Sequence, residues 1–187
     1  MSPSNDSHKT ATGTETGTRP DVAGLIAQAA KLGLTIATAE SCTGGMVAAA
    51  LTDVPGSSAV LDRGFVTYSN QAKQDMLGVS PATLEQHGAV SEAVAAEMAQ
   101  GALLRADVSL AVAITGIAGP GGSEHKPEGR VCFGLARAST AGQPAQVETI
   151  EFGPLGRDRV RAKSCAQALA LLQQAILQHE RNLSNVP

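Results

Sequence analysis

Val108–Thr115 reads VSLAVAIT, a near-continuous apolar run, and this is the pattern of a strand covered on both faces at the centre of a sheet. Directly after it comes a glycine-rich loop, Gly116–Gly129, GIAGPGGSEHKPEG. Beyond the loop, Arg130–Ala138 and Gln146–Phe152 read as strands separated by AGQPA, an antiparallel pair. The last element, Asp158 to about Gln178, places Ala162, Cys165, Ala166, Leu169, Leu172 and Ile176 on one face of a helix.

Upstream of the central run, strands and helices alternate. Val22–Leu32 carries apolar residues at helical spacing, with Gly33 placed to stop the helix. Leu34–Ala39 is short, apolar and β-prone, and it runs through AESCTGG into a helical stretch, Met46–Leu51. Residues 60–69, VLDRGFVTYS, read as a further strand in which Gly64 marks a bulge or a close approach. Asn70 can cap the helix QAKQDMLG, which stops at Gly78. Ser80-Pro81 opens a short helix, and Ser91-Glu92 opens a longer one with an apolar face of Val94, Met98 and Ala102, stapled by Val90. Alternating strands and helices followed by a hairpin predict an α/β protein, a three-layer α/β/α sandwich with a mixed β-sheet in a single domain. Residues 1–20, rich in Ser, Thr and Gly, read as a disordered tail, and residues 21–180 as the folded domain.

Composition narrows the function. A chain of 187 residues with 43% hydrophobic and 17% charged residues is globular over most of its length. Fourteen Lys and Arg against 17 Asp and Glu leave −3, and the aromatics are only Phe65, Tyr68, Phe133 and Phe152. That offers neither a basic groove nor a stacking platform, so no nucleic-acid partner is expected. No signal peptide and no long apolar run is present, which predicts no membrane association. Cys42, Cys132 and Cys165 lack disulfide or zinc spacing, which points to reduced thiols in a cytoplasmic protein.

Three places can carry chemistry. In AESCTGG, Ser41 sits at a strand-to-helix turn. It can serve as a nucleophile with the Thr43, Gly44 and Gly45 amides as an oxyanion hole, or Ser41 or Thr43 can simply cap the helix. Cys42 is a weaker nucleophile candidate, with no His nearby in sequence. Lys73 falls in the first turn of a helix, where the dipole disfavours a cation, so its amine is a candidate general base. The alternative is a solvated lysine paired with Asp75 or Glu92. Tyr68 lies just before the same helix, either with its hydroxyl beside Lys73 or with that hydroxyl at the surface. In TGIAGPGG, the Gly116, Gly119 and Gly121 backbone can close on a ligand, or the loop is a plain connection. It matches neither a nucleotide-triphosphate nor a dinucleotide fingerprint. Arg157, Arg159 and Arg161 cluster at the electropositive start of the last helix, which calls for an anion. Two patterns are discounted. Ser123-Glu124-His125-Lys126 has S-x-x-K spacing without a helix to carry it, and Glu124-His125 lacks a third metal ligand.

AESCTGG, GFVTYSNQAKQDMLGV, GAVSEAVAAEMAQGA, AITGIAGPGG with KPEGRV, and the arginine-rich last helix occur together and in order over roughly Val22–Leu177. This series resembles the C-terminal domain of competence/damage-inducible protein A (CinA), a family whose stand-alone members are nicotinamide-nucleotide amidohydrolases. The resemblance implies hydrolysis of the carboxamide of nicotinamide mononucleotide to nicotinate mononucleotide and ammonia, in pyridine nucleotide salvage, with no cofactor and no metal. It implies Ser41 as nucleophile, Lys73 as the base taking its proton, and Tyr68 as the hydroxyl assisting them. Thr115 is implied as a substrate contact, and Arg157, Arg159 or Arg161 as a phosphate contact. A homodimer is the family's habit. The competing expectation is a non-catalytic pyridine-nucleotide-binding regulatory module linked to competence or the DNA-damage response.

Overall fold

The computed structural model describes residues 20–140 and 142–185. The expected tail lies outside them apart from Pro20. Among the described residues the elements run α1 (Val22–Lys31), β1 (Ile36–Glu40), α2 (Met46–Thr52), β2 (Leu61–Val66), α3 (Asn70–Leu77), α4 (Pro81–His87), α5 (Glu92–Ala106), β3 (Leu110–Gly116), β4 (Arg130–Arg137), β5 (Gln146–Glu151) and α6 (Arg157–Ser184). The strands form one sheet in the order β2-β1-β3-β4-β5. β1 is parallel to both β2 and β3, whereas β3-β4 and β4-β5 are antiparallel. The expected mixed sheet between helical layers is therefore what forms.

Alternation along the strands gives the two faces different residues. Ile36, Leu110, Val112, Ile114, Val131, Phe133 and Leu135 pack with α1, α2 and α6. Ala37, Ala39, Ala111, Ala113 and Ala136 pack with α3, α4 and α5. The small face lets α5 lie close on the sheet: a Cβ at Gly134 would stand 2.2 Å from the Ala95 carbonyl oxygen. A core with three phenylalanines and no tryptophan closes because one face is filled by branched aliphatics and the other by close approach.

Local details sharpen the sequence reading. Ser69 rather than Asn70 caps α3, its hydroxyl accepting from the Ala72 amide. Gly64 is a close-approach point, since a Cβ there would meet Thr38 Oγ1 at 2.9 Å, and the β1-β2 register shifts between Ile36 and Ala37. The last helix extends to Ser184, beyond the expected end near Gln178. No helix among the described residues is long and apolar enough to cross a membrane.

Because β1, β2 and β3 run parallel, their carboxyl ends meet at one edge. Glu40 pairs with both Val66 and Ile114, and β4 begins opposite Gly116. Ser41, Thr67 and Thr115 are thereby delivered to the same place, the edge where open α/β sheets hold ligands.

Candidate active site

The turn after β1 is fixed from below by Glu40. Its buried carboxylate accepts from the amides of Gly45 and Val47 at 3.0 and 3.1 Å, from the Ala48 amide at 2.9 Å, and from Thr38 Oγ1 at 3.1 Å. The free amides at the start of α2 are thus satisfied by a strand side chain. Ser41 and Thr43 do not cap: Gly45 is the N-cap and no side-chain cap bond is made there. The Gly44 amide donates to the Ser41 carbonyl at 3.1 Å. The expected oxyanion hole of Thr43, Gly44 and Gly45 is corrected accordingly, because the last two amides are already engaged. Among the described residues neither the Cys42 nor the Thr43 amide donates to another residue, the Cys42 amide lying against its own thiol. Arg161 donates to the carbonyls of Cys42 and Thr43, both at 3.1 Å. In a trans peptide the N–H opposes the C=O, so drawing the Cys42 carbonyl toward α6 turns the Thr43 N–H the other way.

Ser41 Oγ faces Lys73. Lys73 Nζ lies 3.2 Å from it and donates to the Thr67 carbonyl at 2.9 Å. Lys73 is only 1% exposed, and it sits at the end of the first turn of α3, whose side chains lean back toward the helix start. The alternative partners are elsewhere: Asp75 accepts from Gln71, and Glu92 accepts from Thr149. With no carboxylate beside it among the described residues, burial pulls the Lys73 amine below its ordinary value. Burial has the opposite effect on the adjacent thiol, pushing Cys42 up to about 11. Cys42 is therefore a neutral thiol at physiological pH, and it is Ser41 Oγ rather than Cys42 Sγ that lies in hydrogen-bond contact with the Lys73 amine.

Tyr68 is 61% exposed. Its hydroxyl accepts from Arg157 Nη2 at 2.9 Å rather than bonding Lys73. Arg157 Nη1 also donates to the Gly119 carbonyl at 3.1 Å. Of the three arginines, Arg157 lines the cleft and Arg161 holds the turn after Ser41, whereas Arg159 is exposed on α6 outside the cleft. Arg159 is corrected as a site residue: Arg157 and Arg161, four apart, share one face of α6, whereas Arg159, two residues from each, lies on the other side. In the glycine loop, Gly116 lines the cleft, but the Gly121 amide donates to Glu128, whose other oxygen accepts from the Gly156 amide. An internal carboxylate thus holds the Gly121 amide that the sequence reading assigned to a ligand. Thr115 Oγ1 donates to the Ala89 carbonyl at 2.8 Å and stands on the cleft wall. Glu124 and His125 are exposed side by side, and among the described residues no group of three or more metal-ligating side chains is gathered.

Ser41, Lys73, Tyr68, Thr115 and Arg157 therefore line one cleft of about 220 Å³ with Cys42 and Gly116. An alcohol against a desolvated amine is an arrangement that can activate a nucleophile, here at the carboxyl edge of an α/β sandwich. The profile of the CinA C-terminal domain matches residues 21–176, and the chain belongs to that family. Over 148 residues it is 54% identical to the nicotinamide-nucleotide amidohydrolase PncC of Escherichia coli (strain K12), covering 79% of this chain and 87% of that one. It is 57% identical over 134 residues to a CinA-like protein of Chlorobium phaeobacteroides (strain BS1), covering 71% of this chain and 31% of that longer protein. Among solved structures, the competence/damage inducible protein CihA from Agrobacterium tumefaciens matches with a TM-score of 0.76 at 46% identity, over 83% of this chain and 95% of that one.

Proposed function

We propose that this protein hydrolyses the carboxamide of nicotinamide mononucleotide, releasing nicotinate mononucleotide and ammonia, with Ser41 as nucleophile and Lys73 as its base. The observation that carries the reading is the buried Lys73 amine 3.2 Å from Ser41 Oγ, with no acidic partner among the described residues. The relative named for this activity covers most of both chains.

In the neutral form, Lys73 keeps one N–H on the Thr67 carbonyl and turns its lone pair toward the Ser41 hydroxyl. It takes that proton as Oγ bonds to the carboxamide carbon. The oxyanion is received by the Cys42 and Thr43 amides. The Lys73 ammonium then returns the proton to the amide nitrogen as the C–N bond breaks, and ammonia leaves. Water attacks the ester carbon while giving a proton to Lys73, and collapse expels Ser41 Oγ, which takes that proton back. Arg157 supplies the exposed positive charge for the phosphate, and Tyr68, whose oxygen already accepts from Arg157, keeps its own proton free to donate to substrate. Thr115 forms the wall beside the ring. The reaction belongs to pyridine nucleotide salvage in the cytoplasm, a reducing setting that suits three free cysteines.

Purified protein incubated with nicotinamide mononucleotide should release ammonia, and Ser41→Ala and Lys73→Ala should each stop it. Release that survives both substitutions contradicts the assignment, and binding of the nucleotide without release by the unaltered chain favours a regulatory module instead.

A further inference from the structure

Glu40 immediately precedes the nucleophile and is 1% exposed, yet it faces neither Lys73 nor the cleft. Its two oxygens serve the start of α2 and one hydroxyl of its own strand. Oε2 accepts from Gly45 and Val47, and Oε1 accepts from Ala48 and Thr38. The Met46 amide turns to the Thr43 carbonyl, the Gly44 amide to the Ser41 carbonyl, and the Ser41 amide to the Ile114 carbonyl. Every amide from Ser41 to Ala48 therefore has an acceptor in another residue except those of Cys42 and Thr43. A carboxylate desolvated against three amides resists rotation, because any other rotamer orphans both the charge and the donors.

We propose that Glu40 is a positioning residue for the Ser41 turn: by taking the amides of Gly45, Val47 and Ala48 it holds the turn in the one shape that leaves the Cys42 and Thr43 amides free for the oxyanion. The proposal rests on the hydrolytic reading of Ser41 and Lys73. Without Glu40 the start of α2 has unsatisfied donors close to the nucleophile, and these compete for the turn's own carbonyls or for the substrate oxygen. A substrate oxygen drawn to the wrong donors binds as well but reacts more slowly, so the loss falls on kcat.

Glu40→Gln tests this, since its single carbonyl oxygen can serve one side of the turn and its NH2 must face the donors on the other. With nicotinamide mononucleotide as substrate, kcat falls about 10-fold or more while KM stays within about 2-fold. The pH profile of kcat/KM keeps its shape, because Lys73 still sets it. Amide hydrogen exchange at Val47 and Ala48 accelerates while that of β3 is unchanged. A kcat loss no larger than the loss of folded protein overturns the proposal, as does unaltered exchange at Val47 and Ala48. A shifted pH profile also overturns it, since Glu40 would then act on the charge of Lys73. Should Glu40→Gln fold poorly, Glu40→Asp keeps the charge with a shorter reach and is read by the same exchange and kcat measurements. If the unaltered chain releases no ammonia, the hydrolytic reading fails, and the exchange arm still decides whether Glu40 holds the turn.

Discussion

Glu40 and Lys73 are both buried at the carboxyl edge of the sheet, and they are treated in opposite ways. Glu40 reaches four donors, three of them backbone amides of a helix start. Lys73 has one carbonyl and one hydroxyl, and among the described residues no opposite charge beside it. Burial alone does not make a group reactive. A buried charge whose partners are complete stiffens the fold, while a buried charge left short of partners releases its proton more readily and becomes available for chemistry. The first closes the strand that leads into Ser41, and the second arrives from a separate helix.

The contrast can be broken most forcefully at the reactive member. Lys73→Ala lowers the rate of ammonia release by about 10³-fold or more, as removal of one member of a nucleophile–base pair does, and circular dichroism shows the fold retained. At the structural member the loss is in stability. Glu40→Ala orphans three amides and costs about 2–4 kcal/mol, read as a lower denaturant midpoint at unchanged m. Arg157→Ala raises KM for nicotinamide mononucleotide about 10-fold, the order of one charge-assisted contact, and leaves KM for the phosphate-free riboside nearly unchanged. Lys73→Met moves stability the other way, a gain of about 1 kcal/mol near neutral pH. The unfolded chain holds the lysine proton up to its ordinary value of 10.5 whereas the folded chain releases it at lower pH. The deficit that Lys73 imposes is therefore complete below the folded value and shrinks as pH rises toward 10.5, so the advantage of Lys73→Met shrinks with it. The smallest change comes from Arg159→Ala, within about 2-fold in kcat and KM, because this side chain lies on α6 outside the cleft.

The layers and the sheet were legible because their signals are local. The apolar run at Val108–Thr115 and the hairpin at Arg130–Glu151 carry their own periodicity, and Gly78 ends α3 with its left-handed φ of 75°. Ser41 and Lys73 were legible as candidates for the same reason: each stands at a helix start where its chemistry is unusual. What the sequence withheld was which donors and acceptors were already spent. Gly45 reads as an oxyanion donor until Glu40 is seen to reach it, and Gly121 reads as a ligand amide until Glu128 takes it. The one trace in the sequence is an acidic residue closing each segment, Glu40 at the end of an apolar strand and Glu128 at the end of the glycine loop. Arg161 was visible as a charge at a helix start, but its partners, the carbonyls of Cys42 and Thr43, lie 119 and 118 residues away. Tyr68 was placed beside Lys73 by proximity in sequence. In the fold its hydroxyl, exposed in the same cleft, is taken by an arginine 89 residues on.

The central claim is that Lys73 is a buried amine ready to give up its proton, and the most direct measurement is its own titration. With lysine labelled at Cε and the Lys73 resonance assigned through Lys73→Met, carbon NMR follows the shift against pH. The account predicts a midpoint below the ordinary 10.5, coinciding with the rise of kcat/KM for ammonia release. A midpoint at or above 10.5 in a fully active protein would contradict it.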